Sequence, residues 1–460
     1  MRINEEIYKI EEYGAVGDGK TLNTKSVQRA LDECSANGGG VVRFERGVYV
    51  LSTVFLKNNI TIEIPEGTEI LGATSYYDYA QEETVDYPIY QDSSHTYYHP
   101  SLFVGVDCEN VCITGGGKID MRSVWDEDGV RGEAIKHRGA KCIALKNCKN
   151  VEISNLEIYN VTDLAIYFAG CENVDIYGIK MCVYIDGISP DNSKNVRIHD
   201  CDVETGDDGI VFKSSYTLNR LDICKDIHVW NCKVKSRCNA IKFGTETNGG
   251  LENILIENIE IRETRITGLS IESVDGAIVD GVTVRDVKMT NVNAPIFIHI
   301  GKRMRGPVGR TIGKIKNVTL ENITADGPYE EYEIMPWNYF SYKAGDTKQN
   351  PKIFGIAESF DGTKETDEWQ MTSNICGLKE SPLENIVLRN VHLKLDGGVK
   401  EYKKEVPEEA QDYPEVFVYG RILPAKGIYF RHINGLIMDN VKVQTYRPDK
   451  REDFVFEGVR

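Results

Sequence analysis

Residues 149–160 read KNVEISNLEIYN. The phrase returns as ENVDIYGIKM from Glu172, KNVRIHDCDVE from Lys194, KDIHVWNCKVK from Lys225 and ENILIENIEIRE from Glu252. Later copies are DGVTVRDVKMTN, KNVTLENITAD, ENIVLRNVHLKL and NGLIMDNVKVQT. Each opens on a polar pair and then alternates β-branched or apolar residues with polar ones at period 2. A second turn residue (Asn155, Gly178, Asp200, Asn258) breaks the run before another short apolar stretch. The pairs at Asn150, Asn173, Asn195, Asp226 and Asn253 are separated by 23, 22, 31 and 27 residues. Strands this short cannot bury an apolar face alone. Stacked coil on coil at about 4.8 Å, they share one continuous core. Asn tolerates the left-handed backbone of tight corners, and stacked Asn side chains share hydrogen bonds. Helical periodicity is absent from the repeats, which removes ankyrin-type and leucine-rich solenoids. The expectation is an all-β, right-handed parallel β-helix.

A solenoid has an open end to protect. TKSVQRALDECSANGGG (24–40) sets Val27, Ala30, Leu31 and Cys34 at i, i+3, i+4 and i+7, an amphipathic helix stopped by Gly38 to Gly40. This N-terminal capping helix closes the first coil. The 460 residues are read as a single β-helix domain. Within it, 1–72 hold the cap and first coils, 73–105 a Tyr-rich loop and 106–325 the central coils with the active site. An insertion loop follows at 326–381, with Trp337, Tyr339, Phe340, Tyr342 and Trp369, then C-terminal coils and a tail at 382–460. Within that last part, 397–426 is a second, charged interruption.

A net charge of −17 argues against nucleic acid and anionic membrane as partners. No stretch approaches a transmembrane span, and MRINEEIYKIEEYGAVGDG carries no apolar signal segment. The 12 cysteines show no paired CxxC spacing and read as buried reduced thiols. Cytoplasmic is the expected location; association into a homo-oligomer is left open.

Tyr184 to Ile210, YIDGISPDNSKNVRIHDCDVETGDDGI, holds the chemistry. Asp186 lies 21 residues before Asp207 and 22 before Asp208. One coil period should stack Asp186 against the pair, with backbones about 5 Å apart. Carboxylates that close share protons unequally, which is what a general acid and base pair needs. Each Asp-Gly alone is ordinary turn chemistry; two on successive coils at one period are not. The other acids, Asp191, Asp200, Asp202 and Glu204, are read as turn or surface residues.

These residues resemble glycoside hydrolase family 28, the polygalacturonase family. YGAVGDGKTLNTKSVQRALDECSANGGGVVRFERGVYV resembles its N-terminal segment, which related β-helix lyases share. YIDGISPDNSKNVRIHDCDVETGDDGIVFKS resembles its catalytic core, and PAKGIYFRHINGLIMDNVKV its bacterial branch. The resemblance implies that Asp207 is the general acid, while Asp186 and Asp208 position and deprotonate water, with inversion. It calls for no cofactor and no metal. It also implies an oligosaccharide or glycoside substrate.

Two departures stand beside the matches. Cys238-Asn239-Ala240 occupies the place of the family's Gly-His-Gly, and Ser270-Ile271-Glu272 that of its Arg-Ile-Lys. A Ser and a Glu offer no charge-assisted bond to a galacturonate carboxylate. The reading is therefore an exo-acting glycosidase for a neutral sugar in pectin- or plant-derived glycosides. Asn239, Ser270 and Glu272 are its candidate binding residues, joined by Lys242 and Glu246. For the last two a surface ion pair is the plain alternative, and for Asn239 a corner ladder. Lys302, Arg303 and Arg305 form a basic cluster, and His95, His99, His137 and His299 stay unassigned. The rivals are a galacturonan hydrolase with its clamp moved to Lys242 or that cluster, a Ca²⁺-dependent β-helix lyase, and a non-catalytic glycan-binding solenoid.

Overall fold

The structure, a computed structural model, describes residues 6–123, 139–327, 370–402, 404–408 and 413–460. The expectations about Trp337, Tyr339, Phe340, Tyr342, Trp369 and His137 lie outside them. The fold is all-β, a right-handed parallel β-helix, and its strands pair in parallel. The chain divides into two compact units, one running to Glu204 and one beginning at Thr205.

In the first unit the strand Lys149–Tyr159 pairs with Glu172–Val183 in the register the repeat implies. Val151 faces Val174, Ile153 faces Ile176, Leu156 faces Ile179 and Ile158 faces Met181, all of them buried. The pleat sends every second residue inward, so the repeat's alternation becomes columns of apolar side chains. Corners are turned by Asn in the left-handed region: Asn110 (φ 59°), Asn150 (φ 53°), Asn173 (φ 60°) and Asn195 (φ 54°). Their amides form a ladder. Asn150 donates to Asn110 at 3.0 Å, Asn173 to Asn150 at 3.0 Å and Asn195 to Asn173 at 2.6 Å. The helix Thr24–Ala36 buries Val27, Ala30, Leu31 and Cys34, as its spacing predicts. It stops where Gly39, at φ 107°, comes so close to the next coil that a Cβ would lie 2.3 Å from the Asn59 carbonyl oxygen.

Asp191 corrects the turn reading. It is buried at the end of the strand Ile188–Asp191 and accepts the Tyr167 hydroxyl at 3.0 Å. Pro190 caused the misreading, because the strand accommodates it. Asp200, at φ 53°, is the turn residue expected.

The second unit stacks Gly250–Ser273, Ile278–Ile300, Lys314–Asp326, Leu383–Gly397 and Ala425–Asp439. Ile254, Val282, Val318 and Ile386 form one buried column. Each such side chain contributes about 1.5–3 kcal/mol. Beyond the register shift between Thr264 and Thr267, alternating with the buried Leu269 and Ile271, Lys242, Ser270, Phe297, Asn374 and Tyr429 fall in one row across successive strands. Glu272, His299, Cys376 and Arg431 form the next.

Residues 413–419, from the charged interruption, lie over these rows. The Val416 carbonyl accepts the Asn374 amide at 2.8 Å, and the Tyr419 hydroxyl meets His299 Nδ1 at 3.0 Å.

Candidate active site

Asp207 and Asp208 precede the strand Ile210–Ser214. Their backbone is pinned: the Thr205 and Ser236 hydroxyls donate to the Asp207 carbonyl at 2.7 and 2.6 Å. Gly209 lets the chain press against the next coil, since a Cβ there would lie 2.4 Å from the Ala240 carbonyl oxygen. The Asp-Gly pair is thus a close approach as well as a corner. Asp207 keeps partial solvent contact, and Asp208 is buried.

Asp208 is held from two directions. Its Oδ1 accepts the Asn239 side-chain amide at 2.7 Å and the Asn239 backbone amide at 3.2 Å. Its Oδ2 lies 3.3 Å from Lys242 Nζ. Asn239 and Lys242 both belong to the strand Asn239–Thr247; three residues apart, they start from opposite faces of it, and both reach Asp208.

Lys242 is the hub of the buried charge. Besides Asp208 it contacts Glu415 Oε1 at 2.9 Å and Glu272 Oε1 at 3.8 Å. Burial works against the ammonium, but the anions of Asp208, Glu415 and Glu272 outweigh it and hold Lys242 well above the usual lysine value. Glu415 also accepts the Asn239 amide at 3.3 Å, and burial raises its carboxyl. Ser270 donates to Glu272 Oε1 at 2.7 Å. Burial, opposed by Lys242 and reinforced by Glu415, pushes the Glu272 carboxyl up to about 8.

Glu246 forms a separate knot. Its Oε2 takes Lys213 Nζ at 3.2 Å, and its Oε1 lies 3.6 Å from Arg303, which also grips Asp275 with Nε at 3.0 Å from Oδ1.

These contacts revise several expectations. Lys242 and Glu246 are not a surface ion pair: both are buried, and each binds other partners. Asn239 is no corner ladder residue, because its amide goes to Asp208 and Glu415. The basic cluster divides. Arg303 turns inward to Asp275, Lys302 pairs with Glu380, and the Arg305 backbone amide donates to Asp275 at 2.8 Å. Asp186 belongs to the first unit, buried between Glu172–Val183 and Ile188–Asp191, its carbonyl accepting the Ala165 amide at 2.9 Å. Glu415, Asp275 and Lys213 were missed by sequence reasoning. Asp275, four residues past the Ile271 of the departed motif, gave a weak signal; Glu415 gave none.

One potential ligand atom from each of Asp207, Asp208 and Cys238 lies within 4.8 Å of the others. The trio fits Ca²⁺ poorly. Burial holds the Cys238 thiol well above its usual value, a protonated sulfur is no hard-cation ligand, and Lys242 already sits against Asp208.

Carboxylate, amide and ammonium groups thus surround a pinned pair of aspartates on a parallel β-helix, and the class of the chain is glycosidase. The model of the glycosyl hydrolases family 28 matches residues 57–334, and the chain belongs to that family. It is 24% identical over 410 residues to a probable polygalacturonase of Vitis vinifera, across 85% of this chain and 74% of that one. It is also 24% identical to an exo-poly-alpha-D-galacturonosidase of Dickeya chrysanthemi, across 70% of this chain and 63% of that protein's length. The exopolygalacturonase of Thermotoga maritima superposes with a TM-score of 0.66 at 20% identity, covering 95% of this chain and 93% of that one.

Proposed function

We propose that this glycoside hydrolase removes a neutral sugar from the end of a pectin- or plant-derived oligosaccharide, by inverting acid/base catalysis. Asp207, the more exposed of the pair, protonates the glycosidic oxygen. Asp208, held by Asn239 and Lys242, orients and deprotonates water. Family resemblance assigns Asp186 a share in that second role.

The observation that carries the neutral-sugar reading is charge. Lys242, Lys213 and Arg303 are each already paired, and the five acids Asp208, Glu246, Glu272, Asp275 and Glu415 outnumber these three bases. To bind any of these three cations a uronate carboxylate would have to break a buried pair, and it would face the surplus of acids around them. End-wise action draws support from the names of two relatives, an exo-poly-alpha-D-galacturonosidase and an exopolygalacturonase.

The second reading, a galacturonan hydrolase, is favoured by the relatives' names. It requires Lys242 or Arg303 to exchange a protein carboxylate for the substrate's. Digalacturonate assayed beside neutral nitrophenyl glycosides separates the two. Release of neutral sugar, with kcat reduced about 10²–10⁴-fold in Asp207→Asn, supports the proposal. Preferential galacturonate release defeats it in favour of the second reading.

A further inference from the structure

We propose that Glu272 is a protonated carboxylic acid that donates a hydrogen bond to a hydroxyl of the neutral sugar, with the Asn239 side-chain carbonyl as the matching acceptor; this rests on the neutral-sugar reading. Geometry decides which acid keeps the proton. Lys242 Nζ lies 2.9 Å from Glu415, 3.3 Å from Asp208 and 3.8 Å from Glu272. One ammonium cannot balance three buried carboxylates, and the farthest is left with least compensation. The raised Glu272 carboxyl agrees.

The other groups facing it do not relieve it. His299, its register neighbour on the next strand, is engaged by the Tyr419 hydroxyl, and Tyr413 lies toward Lys242, whose Nζ is 5.9 Å from its ring centroid. Ser270 donates to Oε1 only.

Among the described residues, the buried Glu272 Oε2 and Asn239 Oδ1 have no hydrogen-bond partner. A buried polar atom without a partner costs roughly 1–3 kcal/mol, so such atoms in a native site point to a missing ligand group. The proton on Oε2 makes it a donor, and Oδ1 is an acceptor. Sugar hydroxyls supply both kinds of complement, a donor and an acceptor, whereas a carboxylate supplies acceptors only. Thr245 and Glu246, farther along the strand of Asn239, retain slight solvent contact.

The proposal is tested on the full chain with Glu272→Gln, which preserves size and the acceptor for Ser270. Infrared difference spectra between pH 6 and pH 9 should show a carboxylic acid carbonyl band in the wild type that the variant lacks. With a cleaved neutral nitrophenyl glycoside, KM of the wild type should rise about tenfold above pH 8 as the donor is lost, and this rise should vanish in Glu272→Gln. The same rise in both proteins, or no such band in the wild type, overturns the inference even when neutral sugars are cleaved. Preference for digalacturonate with the band present overturns the substrate reading instead. Denaturation midpoints of both proteins verify that the comparison is between folded states.

Discussion

Lys242 shows how one residue organises the site. It is buried and faces Asp208, Glu415 and Glu272, so removing it strands three acids rather than breaking one bond. Lys242→Met should destabilise the chain by about 3–5 kcal/mol, read as a fall in the denaturant midpoint. Adding Glu415→Gln should recover part of that loss by removing one stranded charge. A midpoint unchanged in Lys242→Met would show that the carboxylates are balanced elsewhere. Glu272 leaves a signature in stability against pH. Its ordinary value is 4.5 and its folded value about 8. Between these the folded chain retains a proton that the unfolded chain has released. Stability contributed by this group therefore falls as pH rises from about 4.5 to about 8, and is flat beyond. Comparing denaturant midpoints at pH 5.5 and 8.5, Glu272→Gln should show a smaller decline than the wild type.

At the scale of elements, what could be read from the sequence was what the repeat keeps in phase. The strand alternation, the Asn corners, the capping helix and the paired aspartates all recur at or beside fixed points of one coil, so spacing alone locates them. Glu415 lies 143 residues beyond Glu272 in a stretch without repeat phase, and nothing in its neighbourhood announces where it folds back. Arg303 could be read only as one of a basic cluster because its partner Asp275 lies on another turn. Asp191 was obscured by the proline before it. Polar partners brought together by long excursions are thus the portion that periodicity does not encode. The Asn ladder permits a direct test of the portion it does. Asn173 carries both a left-handed backbone and two ladder bonds, to Asn150 and from Asn195. Asn173→Ala loses both and should cost about 1–3 kcal/mol. Asn173→Gly keeps the backbone and loses only the ladder, so it should cost less. Equal losses in the two variants would mean that the backbone conformation contributes little and the amide bonds carry the corner.

Across the whole molecule the same core is lined with thiols. All twelve cysteines are buried and none is in a disulfide. Burial raises the Cys34 thiol to about 11 and pushes Cys142 and Cys376 upward as well. Reaction with a disulfide reagent needs both access and thiolate; burial withholds the first from all twelve and the second from these three. Cys148 illustrates the arrangement: its backbone amide donates to the Cys171 sulfur at 3.3 Å, and its own thiol points to the Lys146 carbonyl at 3.5 Å, inside the stack. The thiols should therefore report unfolding of the coils around them. Mixed with Ellman's reagent at pH 8, the folded chain should release almost no thionitrobenzoate on the timescale of minutes. The same chain in guanidinium chloride should release twelve equivalents. Because exposure requires opening the stack, intermediate denaturant should bring the labelling rate up in step with the loss of β signal. A subset labelled quickly in the absence of denaturant would identify a coil that opens on its own, and would contradict a uniformly closed core.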